Sequence, residues 1–298
     1  MKAGLMCIPC TVRAAFDIAC RATQNQEARS RILKETMSWL LNLDYGSVPA
    51  AMLHTHVCRL AREISGNEDP FSDAKRASNE LSKEFVSSLG WVKDLKGKEG
   101  LLKAAKVAIL GNLIDFEVQD HSFSLETFAS KVEECFEQPL GVDDSDALDS
   151  ALRSSKLVLY LLDNAGEVSF DKLFIEFLRS EYKSEVWVVA KSRPVLNDAT
   201  VEDVEEVGLA EVVDRVLTSG NDCVGVCVEH ASEDLLAAIS LCDLIIAKGQ
   251  GNYETLTEVE SELGKNVCYL LRAKCPLVAE EIGVPVGSGV IKVSLQKM

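Results

Sequence analysis

The sequence predicts an α/β protein: a Rossmann-like, mostly parallel sheet with helices on both faces, preceded by an all-helical N-terminal domain. Three observations carry this. Up to about residue 150 apolar residues recur at three and four, the spacing of one face of a helix. Beyond it come four short β-rich runs, "KLVLYLL", "EVWVVA", "DLIIA" and "NVCYLL", with helix-like segments between them. Strands alternating with helices imply a parallel sheet covered on both faces. With 298 residues, 47% of them hydrophobic, the chain is long enough for two domains and a large core.

In chain order, "EARSRILKETMSWLLNL" and "DAKRASNELSKEFVSSLGWVKDL" read as amphipathic helices of a first domain, residues 1–150. The acidic stretch "GVDDSDALDSALRSS" leads into a second domain, residues 151–298. There Leu157 to Leu162 is a buried strand and "SFDKLFIEFLRSEY" a helix. "EVWVVA" is the next strand, "SEDLLAAISL" a helix before "DLIIA", and "NVCYLL" the last strand. The chain shows no internal repeat and no low-complexity segment.

Composition narrows the function classes. The apolar runs fall short of the roughly 18 residues that suggest a membrane span. The amino terminus, "MKAGLMCIPCTVRAAFDIAC", is interrupted by Arg13 and Asp17 and lacks a signal-peptide pattern, so a cytoplasmic protein is expected. Ten scattered cysteines make no disulfide framework and read as mostly reduced core thiols. A formal charge of −16 without a basic stripe argues against nucleic acid as a partner. An anionic substrate must then be met by a local cluster of cations. Oligomeric state is not legible.

Open sheets of this kind bind ligands outside the carboxyl ends of their strands. Past the first strand stand Asp163 and Asn164; past the second, Lys191 to Thr200 with the pair Asn197 and Asp198. Past the third comes the loop Lys248, Gly249, Gln250, Gly251, Asn252, feeding a helix, and past the fourth Arg272 and Lys274. Oxygen ligands from Asp163, Asn164 and Asp198 suit Mg²⁺ or Mn²⁺, with positions left for water and a substrate oxygen. Backbone N–H groups from Gly249 to Asn252 are placed to hold phosphate oxygens. Lys191, Lys248 and Lys274 would offset the remaining charge. Each piece also has a structural reading. Asp-Asn-Ala-Gly makes a turn, Asn197 and Asp198 an N-cap, and the glycine loop, with Glu254 in place of the third glycine of a dinucleotide fingerprint, a tight turn. Three such sites at the ends of successive strands favour the functional one.

"LLDNAGE", the spacing Lys-x-x-Pro-x-x-Asn-Asp in "KSRPVLND", "AKGQGNYETL" and "LLRAKCPLVAEEIG" resemble the damage-control phosphatase family, long catalogued as a domain of unknown function. In the first half "CIPC", "SGNEDPFSDAKRASNE" and "KVAILGNLIDF" support the resemblance, and the paired cysteines resemble the stand-alone microbial subgroup. The resemblance implies a metal-dependent phosphatase, with a helical amino-terminal part and a Rossmann-like core, acting on phosphate esters of small metabolites such as sugar phosphates or damaged phosphometabolites. It implies Mn²⁺, Ni²⁺, Co²⁺ or Mg²⁺ as cofactor. Its metal-ligand positions fall on Asp163, Asn164 and Asp198, its phosphate-binding segment on Lys248 to Asn252, and a further basic position on Lys274. Asp163 is either a ligand alone or also the group that attacks phosphorus or orients water.

Cys7 and Cys10 have the spacing of half a structural zinc site, with His54 and Cys58 as the other half, or of a redox pair. His56, Asn112 and Asp115 stand in the family-like stretches of the first half. Cys223 and Cys227 read as packing residues. Two other classes use similar features: a methyltransferase or nucleotide-binding Rossmann-like enzyme, which normally carries its glycine loop after the first strand, and a ligand-binding module without catalysis.

Overall fold

Residues 1–113, 134 and 136–296 are described in the computed structural model. Five helices come first: α1 (Cys7–Ala22), α2 (Gln26–Asn42), α3 (Ala50–Ser65), α4 (Ser72–Ser87) and α5 (Gly97–Leu110). Local chemistry sets their ends. The Asn25 side chain accepts from the backbone N–H groups of Glu27 and Ala28, capping α2. Gly66, at φ +72°, closes α3 in the left-handed conformation that glycine adopts without steric cost.

The sheet part follows: β1 (Val142–Asp143), α6 (Ser145–Ser154), β2 (Leu157–Leu161), α7 (Val168–Tyr182), β3 (Glu185–Ala190), α8 (Val201–Glu206), β4 (Arg215–Thr218), α9 (Glu233–Leu241), β5 (Leu244–Lys248), α10 (Gly249–Leu256), α11 (Glu260–Leu263), β6 (Asn266–Arg272), α12 (Pro276–Ile282) and β7 (Gly289–Ser294). The strands lie in the order β1-β7-β6-β5-β2-β3-β4. Strands β2 to β6 pair in parallel with their neighbours, and β7 runs antiparallel to β6. The expected α/β architecture is therefore the one observed. The four expected strands are β2, β3, β5 and β6. The edge strand β1 has only two residues, the short edge strand β4 exposes Arg215, and the half-buried β7 lacks a long apolar run, so none of the three carries a strong pattern.

Alternate side chains of β2 enter different cores. Val158 and Tyr160, with Leu162 just past the strand, join one with α5, α6 and α7, while Leu159 and Leu161 join another with α9, α10 and α12. Burial on both faces is the reason the strand reads as an unbroken apolar run. Helices α1 to α3 bring Ala15, Ile18, Val57 and Ala61 together with Val195 and Val224, which lie in the loops after β3 and β4. The helical part thus rests on the loops at the carboxyl edge of the sheet. Among the described residues no helix is long and apolar enough to cross a membrane.

Phe174 on α7 is fully buried beside Tyr160, with ring centroids 6.3 Å apart. Phe174→Ala is expected to cost about 3–5 kcal/mol through lost burial and the cavity left behind. Urea denaturation checks this: the midpoint should fall while the slope stays unchanged.

Candidate active site

Strands β2 and β5 are neighbours in register, Leu161 opposite Ala247, so the residues that follow them emerge side by side. Here the strand order reverses, β3 and β4 lying to one side and β5 and β6 to the other. Such a reversal opens a crevice at the carboxyl ends of the strands. Past β2 come Asp163, Asn164 and a 3₁₀ turn, Ala165–Glu167, that leads into α7. Asn164 stands at the cap position of that turn yet makes no side-chain capping bond. Its backbone pairs instead with Asp198 in an isolated bridge, and Ala199 N donates to Asp163 O at 2.8 Å. Asp198 is not a cap either. Thr200 takes that place in α8, in a capping box with Asp203.

The polar side chains beneath the crevice form one buried network. Asn164 Nδ2 donates to Asp163 Oδ2 at 3.0 Å and to Glu167 Oε1 at 2.7 Å. Asn112, just past α5, donates its own Nδ2 to the same two oxygens, at 3.3 Å for Asp163. Lys191 Nζ lies 3.4 Å from Asp198 Oδ2 and also donates to Gly225 O. Asp198 is only 3% exposed, and beyond this ion pair its Oδ2 accepts no well-directed hydrogen bond among the described residues. Burial, opposed by Lys191, pushes Asp198 up to about 6. A cation beside such a carboxylate favours its charged form.

Two carboxylates and one amide oxygen make an all-oxygen donor set that fits a hard divalent ion. Asp198 Oδ2 is the buried atom such an ion would satisfy. No three His, Cys, Asp or Glu side chains gather as for a metal ion among the described residues, and this set differs in taking one ligand from an asparagine.

Lys248 is turned away from the crevice. Its Nζ donates to Glu167 Oε2 at 2.9 Å and to Asp171 Oδ1 at 2.7 Å, and the residue is 1% exposed. Burial works against its charge, but Asp171 and Glu167 outweigh it and raise its pKa. Tyr160 OH donates to the same Asp171 oxygen at 2.7 Å. The expectation that the Lys248 ammonium faces phosphate is therefore corrected: two fully buried carboxylates already neutralise it.

Gly249 has φ +74°, and a Cβ there would fall on the Asp163 carboxylate, so only glycine lets strand end and carboxylate meet. Gln250 Oε1 accepts from Lys274 N at 2.6 Å and Cys275 N at 3.0 Å, tying α10 to the loop that carries Lys274. Gly251 lies against Val224 and Gly225. Asn252 Nδ2 donates to Leu162 O at 3.0 Å and Lys248 O at 2.8 Å, clamping β2 to β5. Within α10 the first-turn N–H groups have no intrahelical acceptor.

The four-ligand zinc site is not formed. Cys10 Sγ comes within 4.0 Å of His54 Nε2, but the four side chains do not gather, and burial pushes Cys58 up to about 12. A helix directs Cys58 into the core cluster that holds Val195. His56 stacks on Trp39 with centroids 3.8 Å apart. Asp115 lies outside the described residues. Sequence reasoning passed over Glu167 and Asp171, the two carboxylates under Lys248. Their signal was slight: acidic residues in a helix's first turn ordinarily complement its dipole.

The profile of the damage-control phosphatase ARMT1-like domain matches residues 5–290. A damage-control phosphatase of Pyrococcus horikoshii is 36% identical over 290 residues, covering 97% of this chain and 96% of that protein. One of Archaeoglobus fulgidus is 32% identical over 295 residues, 98% of this chain and 99% of that protein. An uncharacterized protein of Methanocaldococcus jannaschii is 35% identical over 288 residues, 96% and 93% of the two chains. The crystal structure of a DUF89 family protein from Pyrococcus horikoshii superposes with a TM-score of 0.87 at 34% identity, covering 98% of each chain.

Lys248→Met leaves Glu167 and Asp171 without their cation and is expected to destabilise the fold by about 3–5 kcal/mol. Equilibrium denaturation reads this directly; a loss of turnover at unchanged stability would return the ammonium to the crevice. Gly249→Ala, strained at positive φ and crowded by Asp163, is expected to lower the melting temperature as well.

Proposed function

The chain belongs to the damage-control phosphatase ARMT1-like family, and on that premise we propose that it is a metal-dependent phosphatase hydrolysing phosphate monoesters of small metabolites, sugar phosphates or damaged phosphometabolites among them. One divalent ion, Mn²⁺, Ni²⁺, Co²⁺ or Mg²⁺, is held by Asp163, Asn164 and Asp198. The observation that carries this reading is the meeting of the segments after β2 and β3, where the backbone of Asn164 bridges to that of Asp198, with the buried Asp198 Oδ2 facing Lys191 at 3.4 Å and accepting no well-directed hydrogen bond among the described residues. When bound, the ion supplies Lewis-acid polarisation of the phosphoryl group.

The remaining roles belong to the chain. Lys191, beside Asp198, offsets negative charge on the phosphate, and Lys274 approaches from the loop after β6. Backbone N–H groups at the start of α10 receive phosphate oxygens. Asp163, pressed against Gly249, binds the ion and is the group placed to orient water or to attack phosphorus. The topology also speaks against a dinucleotide enzyme. Strand β2 is the first of the Rossmann order, and its turn carries Asp163 and Asn164 where those enzymes place glycines.

The test is a screen of phosphate release from an aryl phosphate, sugar phosphates, nucleotides and cofactor phosphates, each with Mn²⁺, Co²⁺, Ni²⁺, Mg²⁺ or a chelator. Release that depends on metal and favours small phosphorylated metabolites is expected. Asp198→Ala should abolish metal binding and release while the circular dichroism spectrum is unchanged. Unaltered metal affinity in that variant would overturn the ligand assignment.

A further inference from the structure

Glu167 touches neither the crevice nor solvent, being 0% exposed, yet it organises the residues around it. Its Oε2 is held by Lys248 at 2.9 Å. Its Oε1 accepts from Asn164 Nδ2 at 2.7 Å and also from Asn112 Nδ2. The Asn164 amide has two faces, a donating NH₂ and an accepting oxygen, and only the oxygen can ligate a cation. Asp163 Oδ2, at 3.0 Å, and Glu167 Oε1 both accept, so turning the amide over would set its oxygen against two carboxylate oxygens. The NH₂ is therefore fixed inward, and Oδ1 faces the other way. Lys248 pins the second oxygen of Glu167 and keeps that carboxylate from turning.

We infer that Glu167 is the positioning residue that fixes the orientation of the Asn164 amide, so that Oδ1 and not Nδ2 is presented to the cation. The inference rests on the proposed cation site and adds to it a residue that does not itself ligate. In Glu167→Gln, the new amide must turn its oxygen to the Lys248 ammonium, because its NH₂ cannot face one. Its NH₂ then meets the NH₂ groups of Asn164 and Asn112, so the Asn164 amide loses one of the two acceptors that fix it and is no longer held in one orientation.

Calorimetric titration with Mn²⁺ tests this, alongside urea denaturation of each variant. Glu167→Gln is expected to weaken Mn²⁺ binding by about 10- to 100-fold, the usual effect of removing a partner that orients a metal ligand. Combining it with Asn164→Asp exchanges acid and amide, keeps the net charge, and places at position 164 a carboxylate that offers an oxygen on either side. This swap is expected to recover most of the lost affinity. A merely structural role for Glu167 predicts no recovery, since two substitutions in one buried network would add their damage.

Parent-like Mn²⁺ affinity in Glu167→Gln, or a swap variant binding no better than Glu167→Gln, overturns the inference while leaving the cation site standing. Absence of Mn²⁺ binding in the parent protein overturns both. Should Glu167→Gln alone fail to fold, the swap decides: binding within about tenfold of the parent supports the positioning role, and loss of binding sinks it.

Discussion

The fully buried ion cluster of Lys248 with Glu167 and Asp171 is the constraint on which the carboxyl edge of the sheet depends. Two carboxylates and an ammonium without solvent must satisfy one another, because an unpaired charge there is strongly destabilising. Their pairing fixes the end of β5 against the turn after β2 and the first turns of α7. Asn252 adds a second clamp between the same strands through Leu162 O and Lys248 O. Everything placed in the crevice stands on this base: Asp163 against Gly249, Asn164 on Glu167, and Asp198 across the bridge from Asn164.

A second set of contacts holds the outer loops, and it comes from the helical part. Arg59 and Arg62 on α3 both bind Asp222, and Arg62 also donates to Pro194 O at 2.6 Å. Thr55 Oγ1 accepts from Val224 N at 2.9 Å. On α4, Lys75 pairs with Asp69 at 2.9 Å and Asp203 at 3.5 Å, and Asn79 donates to Asp203 at 2.9 Å. The loops after β3 and β4, which supply Lys191, Asp198 and Gly225, are therefore braced from above by α3 and α4. In a protein of net charge −16 these local cations do what overall charge cannot. They hold acidic loops together at short range, where screening by salt is weak.

The two lysines of the site illustrate how one residue type serves opposite ends. Lys191, also buried, lies beside Asp198 and donates to Gly225 O, joining the loops after β3 and β4. Lys248 ends a central strand and points back along α7, where its charge is matched by protein. Both stand at the carboxyl end of a strand, and their local sequences do not distinguish them. Which way a side chain turns at a strand end depends on the register and on what the neighbouring turn offers.

The sequence by itself determined the alternation of strands and helices, since apolar periodicity is a local property that survives without knowledge of partners. It also determined that Asp163, Asn164 and the glycine loop lie at strand ends, because each follows an apolar run, and that Asp198 lies in the loop opened by Lys191 after the next run. Strands β1, β4 and β7 escaped it, being short or half-buried towards the flanks of the sheet. Only the tertiary structure decided that Thr200 and not Asp198 caps α8, that Lys248 faces inward, and that Cys58 leaves Cys7 and Cys10 for the core. It alone revealed Glu167 and Asp171 as partners of a residue about 80 positions away. Pairings of that kind are set by strand order, and strand order is written in contacts between segments far apart in the chain.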